Sequence, residues 1–193
     1  VDTPGAWTDF YKKLVFWQLE LQQSGDTAFV EILENQIKEA NTLFAKFIEE
    51  NYTQWIENAE ASPLLSHRVV KEKVVPKLKA DQPTLLLVID NLRWDQWKTI
   101  EPLLSSIYQK EEESIYYSIL PTATQYARNS LFAGLMPGEI KQHYPTHWLD
   151  DHEEGGKNQH EAALLEKQLN RLHVEHKHHF RKITNLDGAK SLV

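Results

Sequence analysis

The sequence predicts an α/β protein: a three-helix bundle over residues 1–81, then the first part of a parallel-sheet domain over residues 82–193. Three observations lead there. Through most of residues 1–81, apolar side chains recur at three- and four-residue spacings, the period of a helix. Thr84 to Ile89 is a near-continuous apolar run, as suits a strand covered on both faces. A helix-length segment separates that run from a second β-flavoured stretch ending at Leu120-Pro121. Strand, helix and strand in that order imply a right-handed crossover and parallel pairing.

Pro4-Gly5 is a turn signal ahead of the first helix, in which Phe10, Leu14, Trp17 and Leu21 share one face. Ser24-Gly25-Asp26-Thr27 interrupts it, and Asp26 or Thr27 can cap the next helix. There Val30, Leu33, Ile37, Ala40, Phe44 and Phe47 alternate in the manner of a coiled coil. After Phe47 the stripe shifts to Ile48, Tyr52, Trp55 and Ile56, and Asn58 to Pro63 ends the helix. A third helix is expected from Leu64, with Leu65, Val69, Val74, Val75 and Leu78 inward and Pro76 kinking or ending it. Short joints make the three antiparallel. The aromatic stripes read as core or dimer seam, and Glu31, Glu34 and Glu49 as a solvated face.

Lys77 to Pro83 is polar and proline-marked, and the domain boundary is placed there. After the first strand, Asn91 is the expected cap of a helix carrying Trp94 and Trp97, which Pro102 restarts or bends. The second strand covers Ser114 to Leu120. Ala127, Leu131 and Leu135 then mark a helix from Gln125 to Gly134, and Glu139 to Trp148 reads as a short helix broken by Pro145. Asp150 to Asn158 is charged and contains glycine, the composition of a mobile loop. Ala162, Leu165, Leu169 and Leu172 mark another helix. His173 to Ile183 alternates weakly, as a third strand would, and Asp187-Gly188 turns into a further helix.

A net charge of −7 and a pI near 5.7 argue against duplex binding through a broad basic surface, without excluding a local phosphoester site. There is no cysteine, hence no disulfide framework and no thiolate zinc site. No apolar run approaches the ~18 residues of a membrane span, and there is no signal peptide, so the expected location is the cytoplasm. The chain opens on Val1 and stops at Val193 as a helix is beginning, which reads as an internal fragment.

The chemistry concentrates in two places. Pro121-Thr122-Ala123-Thr124 precedes a helix, whose first N–H groups and positive dipole end attract anions. A hydroxyl there either caps the helix or attacks phosphorus, and Thr122 is the rival of Thr124 for either role. Asp90 ends the first strand, and ligands of open α/β sheets lie beyond the C-terminal ends of strands. Adjacent parallel strands would bring Asp90 and Thr124 to one rim, where a divalent metal held by Asp90 could touch the threonine oxygen.

These two stretches, LLLVIDNLRWDQW and LPTATQYARNSLFAGLMP, resemble the alkaline phosphatase superfamily, most closely its PglZ-domain branch and the PorX-type response regulators within it. The resemblance implies a receiver domain, a three-helix bundle and an alkaline-phosphatase-like domain with two zinc ions. It implies Asp90 as metal ligand and Thr124 as both nucleophile and metal ligand. Arg128, one turn after Thr124, would orient it or neutralise a phosphoryl oxygen, or else form an ion pair. Asn129 would donate to a non-bridging oxygen, or else face solvent. Arg93 and Asp95 read as a structural pair. His173, His176, His178 and His179 read as solvated histidines, as does the cluster of His147, Asp150, Asp151 and His152. The family's further ligands, in Asp-x-x-x-His, Asp-His-Gly and late-His stretches, do not follow Thr124 here. Truncation accounts for this, and the fragment alone is expected to bind metal poorly and turn over little. The intact protein is expected to be a metal-dependent phosphodiesterase or phosphatase acting on nucleotide-type phosphodiesters. It would be a homodimer that relays signals from an upstream receiver domain and a sensor kinase or other signalling protein to type IX secretion. The alternative is a non-catalytic adaptor working through the bundle.

Overall fold

Helix α1 (Pro4–Ser24) and helix α2 (Thr27–Glu57) pack together in a computed structural model that describes residues 1–24, 27–185, 187 and 190. The α2 seam follows the expected heptad, with Leu33, Ala40 and Phe47 buried at seven-residue steps. The expected drift after Phe47 is present, since the next buried residue is Trp55, eight positions on. On α1 the buried residues are Trp7 and Val15, whereas Trp17 is 55% exposed and pairs edge-on with Phe16 outside the seam. Trp7 meets Phe44 at 5.2 Å, Phe10 at 5.8 Å and Phe47 at 6.0 Å between ring centroids, and Phe47 meets Trp55 at 5.6 Å. Such tilted and edge-on pairs add to the area their rings bury. The expected cap at Asp26 lies outside the described residues.

Helix α3 (Trp94–Leu104) packs on α1 and belongs with the hairpin in one unit, Val1–Pro63 with Val88–Ile115. Its start is fixed by Gln96, whose Oε1 accepts from the Arg93 amide at 3.0 Å, while Asn91, the expected cap, sits in a left-handed turn at φ 59°. Arg93 and Asp95 form the expected pair, at 2.8 Å. Pro102 does not break α3: it lies in the last turn, where few helical bonds remain to be lost, and Ser105 Oγ donates to its carbonyl at 2.7 Å. Trp94 has Lys12 Nζ at 5.7 Å and Lys98 Nζ at 4.8 Å from its ring centroid.

Lys98 donates to Glu101 (2.8 Å) and Glu113 (2.5 Å), and Lys110 to Glu101 (2.5 Å) and Glu113 (3.2 Å). These four charges tie the segment after α3 back onto that helix. Hydrogen bonds from Lys110 and then Lys98 hold the Glu101 carboxyl below its usual range. Burial pushes the Glu113 carboxyl up, but Lys98 and Lys110 prevail and hold it low as well. A carboxyl whose pKa is depressed by folding stabilises the fold above its unfolded pKa and stops doing so as pH falls through its folded value. The first unit therefore loses stability as the pH falls through the usual carboxylate range and below it. Melting curves across that window should show a shallower decline in Glu101→Gln, and equal slopes in both proteins would count against the network.

In the second unit, Leu64–Leu87 with Tyr116–Val193, Leu65 forms an isolated parallel bridge with Tyr117. Ser66 N donates to Tyr117 O (3.1 Å), Tyr117 N to Leu64 O (2.8 Å) and Ile119 N to Ser66 Oγ (3.1 Å). Leu65 and Ile119 are fully buried there. Where a third regular helix is expected, the chain makes a 3-10 turn (Ser66–Arg68), a π turn (Val70–Val74) and another 3-10 turn (Val75–Lys77) holding Pro76. That irregular winding buries Val70 in place of Val69. Around it pack helix α4 (Thr124–Ala133), helix α5 (Pro137–His143) and helix α6 (Glu161–Arg171). Val70, Leu131, Phe132, Ala133, Ile140 and Leu164 form their core.

The C-terminal end of α4 is stitched to α6. Gly134 closes the helix at φ 63°, and its amide donates to Ser130 O at 2.8 Å. A Cβ on Gly134 would come within 2.7 Å of the buried Gln168 amide carbon, so both the conformation and the close approach require glycine. With its nitrogen facing the helix end, Gln168 donates to Phe132 O at 2.9 Å and Leu131 O at 3.3 Å, and Arg171 donates to Ala133 O. The carbonyls that a helix end leaves unpaired are thus taken up by α6.

The expected parallel sheet is absent. Among the described residues the only β pairings are two isolated bridges, Leu65 with Tyr117 and Lys79 with Gln82, so the chain is helical and not α/β. Thr84 to Ile89 is irregular and unladdered, with Leu85 85% and Leu87 70% exposed. Of the second expected strand, only Tyr117 pairs, and with Leu65 rather than with the first run. His173 to Ile183 is irregular too, and Phe180 packs edge-on against Phe132 at 5.4 Å. A β-rich run sets local preference alone; a strand exists only where a neighbour takes its amides and carbonyls. No described helix is long and apolar enough to cross a membrane.

Candidate active site

Helix α4 opens at Thr124, within one residue of the expected start. Its N-cap residue is Ala123, and no side chain caps the helix. Neither threonine of the turn does the capping job that would make it merely structural. Thr124 is half-buried at the first helical position, and Thr122 is exposed before it. The amides of Tyr126 and Ala127 turn back to Ala123 O, at 2.9 and 3.0 Å.

The loop from 150 to 158, expected to be mobile, is instead strapped against the start of α4. Asp151 accepts from Gln125 Nε2 at 2.7 Å and from the Tyr126 hydroxyl. That bond to the carboxylate, helped by burial, raises the Tyr126 pKa and keeps the phenol protonated. Trp148 stands 5.9 Å from the Tyr126 ring and donates through Nε1 to Asp150 at 2.9 Å. Asp150 also accepts from Lys141 at 2.6 Å; Lys141 first and Trp148 second hold its carboxyl below the usual range. Lys157 Nζ donates to the carbonyls of Asp150 (2.5 Å) and Glu153. Asn158 Nδ2 reaches Thr124 O at 3.1 Å.

Arg128 and Asn129 are already engaged. Arg128 Nε bonds Glu161, whose side chain is 2% exposed and also pairs with Lys182 at 2.9 Å. Asn129, which could have faced solvent, is buried; its Nδ2 donates to Lys157 O at 3.0 Å, and its Oδ1 stands 3.5 Å from Asn158 Nδ2. Glu161, Asn158, Lys157 and Gln168 escaped the sequence reading. Their partners on α4 lie 28 to 37 positions away, and no motif announces them. Glu161 alone carried a hint, as an acid in the first turn of a helix.

Asp90 is exposed in the turn before α3 and falls in the first unit, whereas Thr124 falls in the second. Among the described residues, no three histidine, aspartate or glutamate side chains gather closely enough to hold a metal ion. The described residues therefore do not by themselves make the two-zinc site that the resemblance implies. His147 and His160 meet edge-on at 5.1 Å, and burial, then His160, then Lys167 keep His147 below the usual histidine range. His173, His176, His178 and His179 are exposed. A cavity of 450 Å³ is lined by Val75, Leu78, Leu172, His173, Val174, Glu175 and His176, and none of the expected site residues lines it.

Residues 69–192 match the family described as the BREX system PglZ alkaline phosphatase-like domain. The chain belongs to the PglZ family. Residues 2–56 match the PorX response regulator linker domain, so the PglZ segment follows the linker in the order that the resemblance to PorX-type regulators implies. A PorX linker joined to a PglZ domain fits a response regulator with a phosphatase-like effector. No curated protein matches the chain.

Proposed function

We propose that the protein is a phosphoester hydrolase of the alkaline phosphatase type, with Thr124 as nucleophile, acting on nucleotide-type phosphodiesters under the control of a response regulator. The observation that carries this reading is the PglZ match together with a half-buried threonine opening α4 without a capping role. Thr124 Oγ1 would give up its proton and bond to phosphorus as the ester P–O bond breaks, the departing oxygen would leave as the protonated alcohol, and water would then release the phosphoryl group from Oγ1. The positive end of α4 favours the charge on the phosphoryl oxygens. Arg128 and Asn129 would serve from behind, through Glu161 and Lys157. Zinc is the proposed cofactor and Asp90 one proposed ligand. Regulation of type IX secretion, homodimerisation, a cytoplasmic location and signalling from a receiver domain and sensor kinase rest on the PorX resemblance.

The test is made on the full-length protein with a chromogenic phosphodiester. Chelation should abolish hydrolysis and zinc restore it, with Asp90→Asn needing more zinc. Hydrolysis that persists in a metal-free preparation would refute the metal assignment. The second reading, an adaptor working through protein contacts, rests on Phe16, Trp17, Phe29 and Ile32, each 55 to 58% exposed on α1 and α2. An inactive zinc-loaded protein would favour it.

A further inference from the structure

Thr124 is β-branched, so its χ1 is restricted to two main wells and its hydroxyl moves with its backbone. Whatever holds the first peptide of α4 therefore limits where Oγ1 can point. Asn158 Nδ2 donates to Thr124 O at 3.1 Å and lies 3.5 Å from Asn129 Oδ1. Asn158 is held in turn, because Lys182 Nζ donates to its carbonyl at 2.7 Å. Lys182 also pairs with the buried Glu161 at 2.9 Å, and Glu161 pairs with Arg128. The path thus leaves α4 at Thr124 and returns to it one turn later at Arg128. Two points one turn apart on the same helix are fixed through a single buried carboxylate. We infer that Asn158 is a positioning residue for Thr124, its amide setting the orientation of the first turn of α4 from the 150–158 loop. This rests on the reading of Thr124 as nucleophile.

The discriminating variant is Asn158→Asp in the full-length protein. It keeps the size of the side chain and removes the donor aimed at the carbonyl. A misplacement near 1 Å costs roughly a hundredfold in rate, so kcat should fall about ten- to hundredfold with KM within about twofold. Amide hydrogen exchange should quicken over residues 124–128, while the melting temperature stays near that of the parent. Asn158→Ala should behave alike. A residue with only a structural role would lower the melting temperature and leave kcat per folded molecule in place. Unchanged kcat, or unchanged exchange at the start of α4, overturns the inference while an inactive Thr124→Ala leaves the nucleophile standing. A fully active Thr124→Ala overturns both.

Discussion

Thr124→Ala lowers phosphodiester hydrolysis by the full-length protein by on the order of 10³-fold or more, with almost no change in stability. The two halves of this expectation come from the same geometry. Losing the hydroxyl leaves no oxygen at the first helical position to bond to phosphorus. Were Thr124 a cap, its loss would cost about 1 kcal/mol of stability and little activity. The N-cap residue is Ala123, however, and alanine in place of threonine inside a helix raises local propensity. Thr124→Ser should keep much of the rate, since serine retains the oxygen. Thr122→Ala should stay close to the parent, because Thr122 is exposed and precedes the helix. Steady-state rates and melting curves on the three variants decide the matter. Equal rates for Thr124→Ala and the parent would remove the nucleophile, and a stability loss without a rate loss would restore the capping role.

The parts of the fold legible in the sequence are those fixed by neighbours within a few positions. The α2 seam at Leu33, Ala40 and Phe47 follows from spacing alone, and so does the end of α4 at Gly134. Local spacing also placed the start of α4 to within one residue, which kept the candidate nucleophile in view. The sheet failed for the opposite reason. Leu85 to Ile89 reads as a buried strand only if something covers it, and coverage is a property of distant residues. Spacing puts Trp17 on the apolar face of α1, yet Trp17 is exposed and Trp7 fills the aromatic cluster. Phe10, Leu14, Trp17 and Leu21 fit one helical face, but the buried residues are Trp7 and Val15, eight positions apart.

At the candidate site the division is similar. The residue types were legible, and their commitments were not. Arg128 offered a choice between phosphate and ion pair, and the choice depends on a carboxylate 33 positions away. Asn129 has a fully polar side chain that composition places at the surface, yet Lys157 O gives it a buried partner. The loop from 150 to 158 looked mobile because glycine and charge are common in mobile loops. Its charges instead meet fixed partners, with Asp150 joined to Lys141, Trp148 and Lys157, and Asp151 to Gln125 and Tyr126.

Glu161→Ala destabilises the second unit by about 3 kcal/mol, the lower end of the cost of breaking a buried ion pair. The carboxylate is 2% exposed and serves two cations, Arg128 at 19% and Lys182 at 42% side-chain exposure. Its removal takes away the anion that Arg128 Nε bonds, at a guanidinium with only 19% of its side chain exposed. Lys182 can turn to solvent, which is why the cost stays at the lower end. For a chain of this length the loss corresponds to a melting temperature lower by roughly 10 °C. Glu161→Gln keeps an oxygen for Arg128 and should cost about half as much. The decisive comparison is the pair Arg128→Met with Glu161→Leu. Replacing both members with apolar residues removes the guanidinium together with the carboxylate it bonds, so the double variant should be more stable than Glu161→Ala alone. Non-additivity of that kind in a melting series shows coupling through the pair. Simple addition of the two single losses would mean that Arg128 finds water without Glu161, and that the carboxylate does not anchor the turn of α4 that follows Thr124.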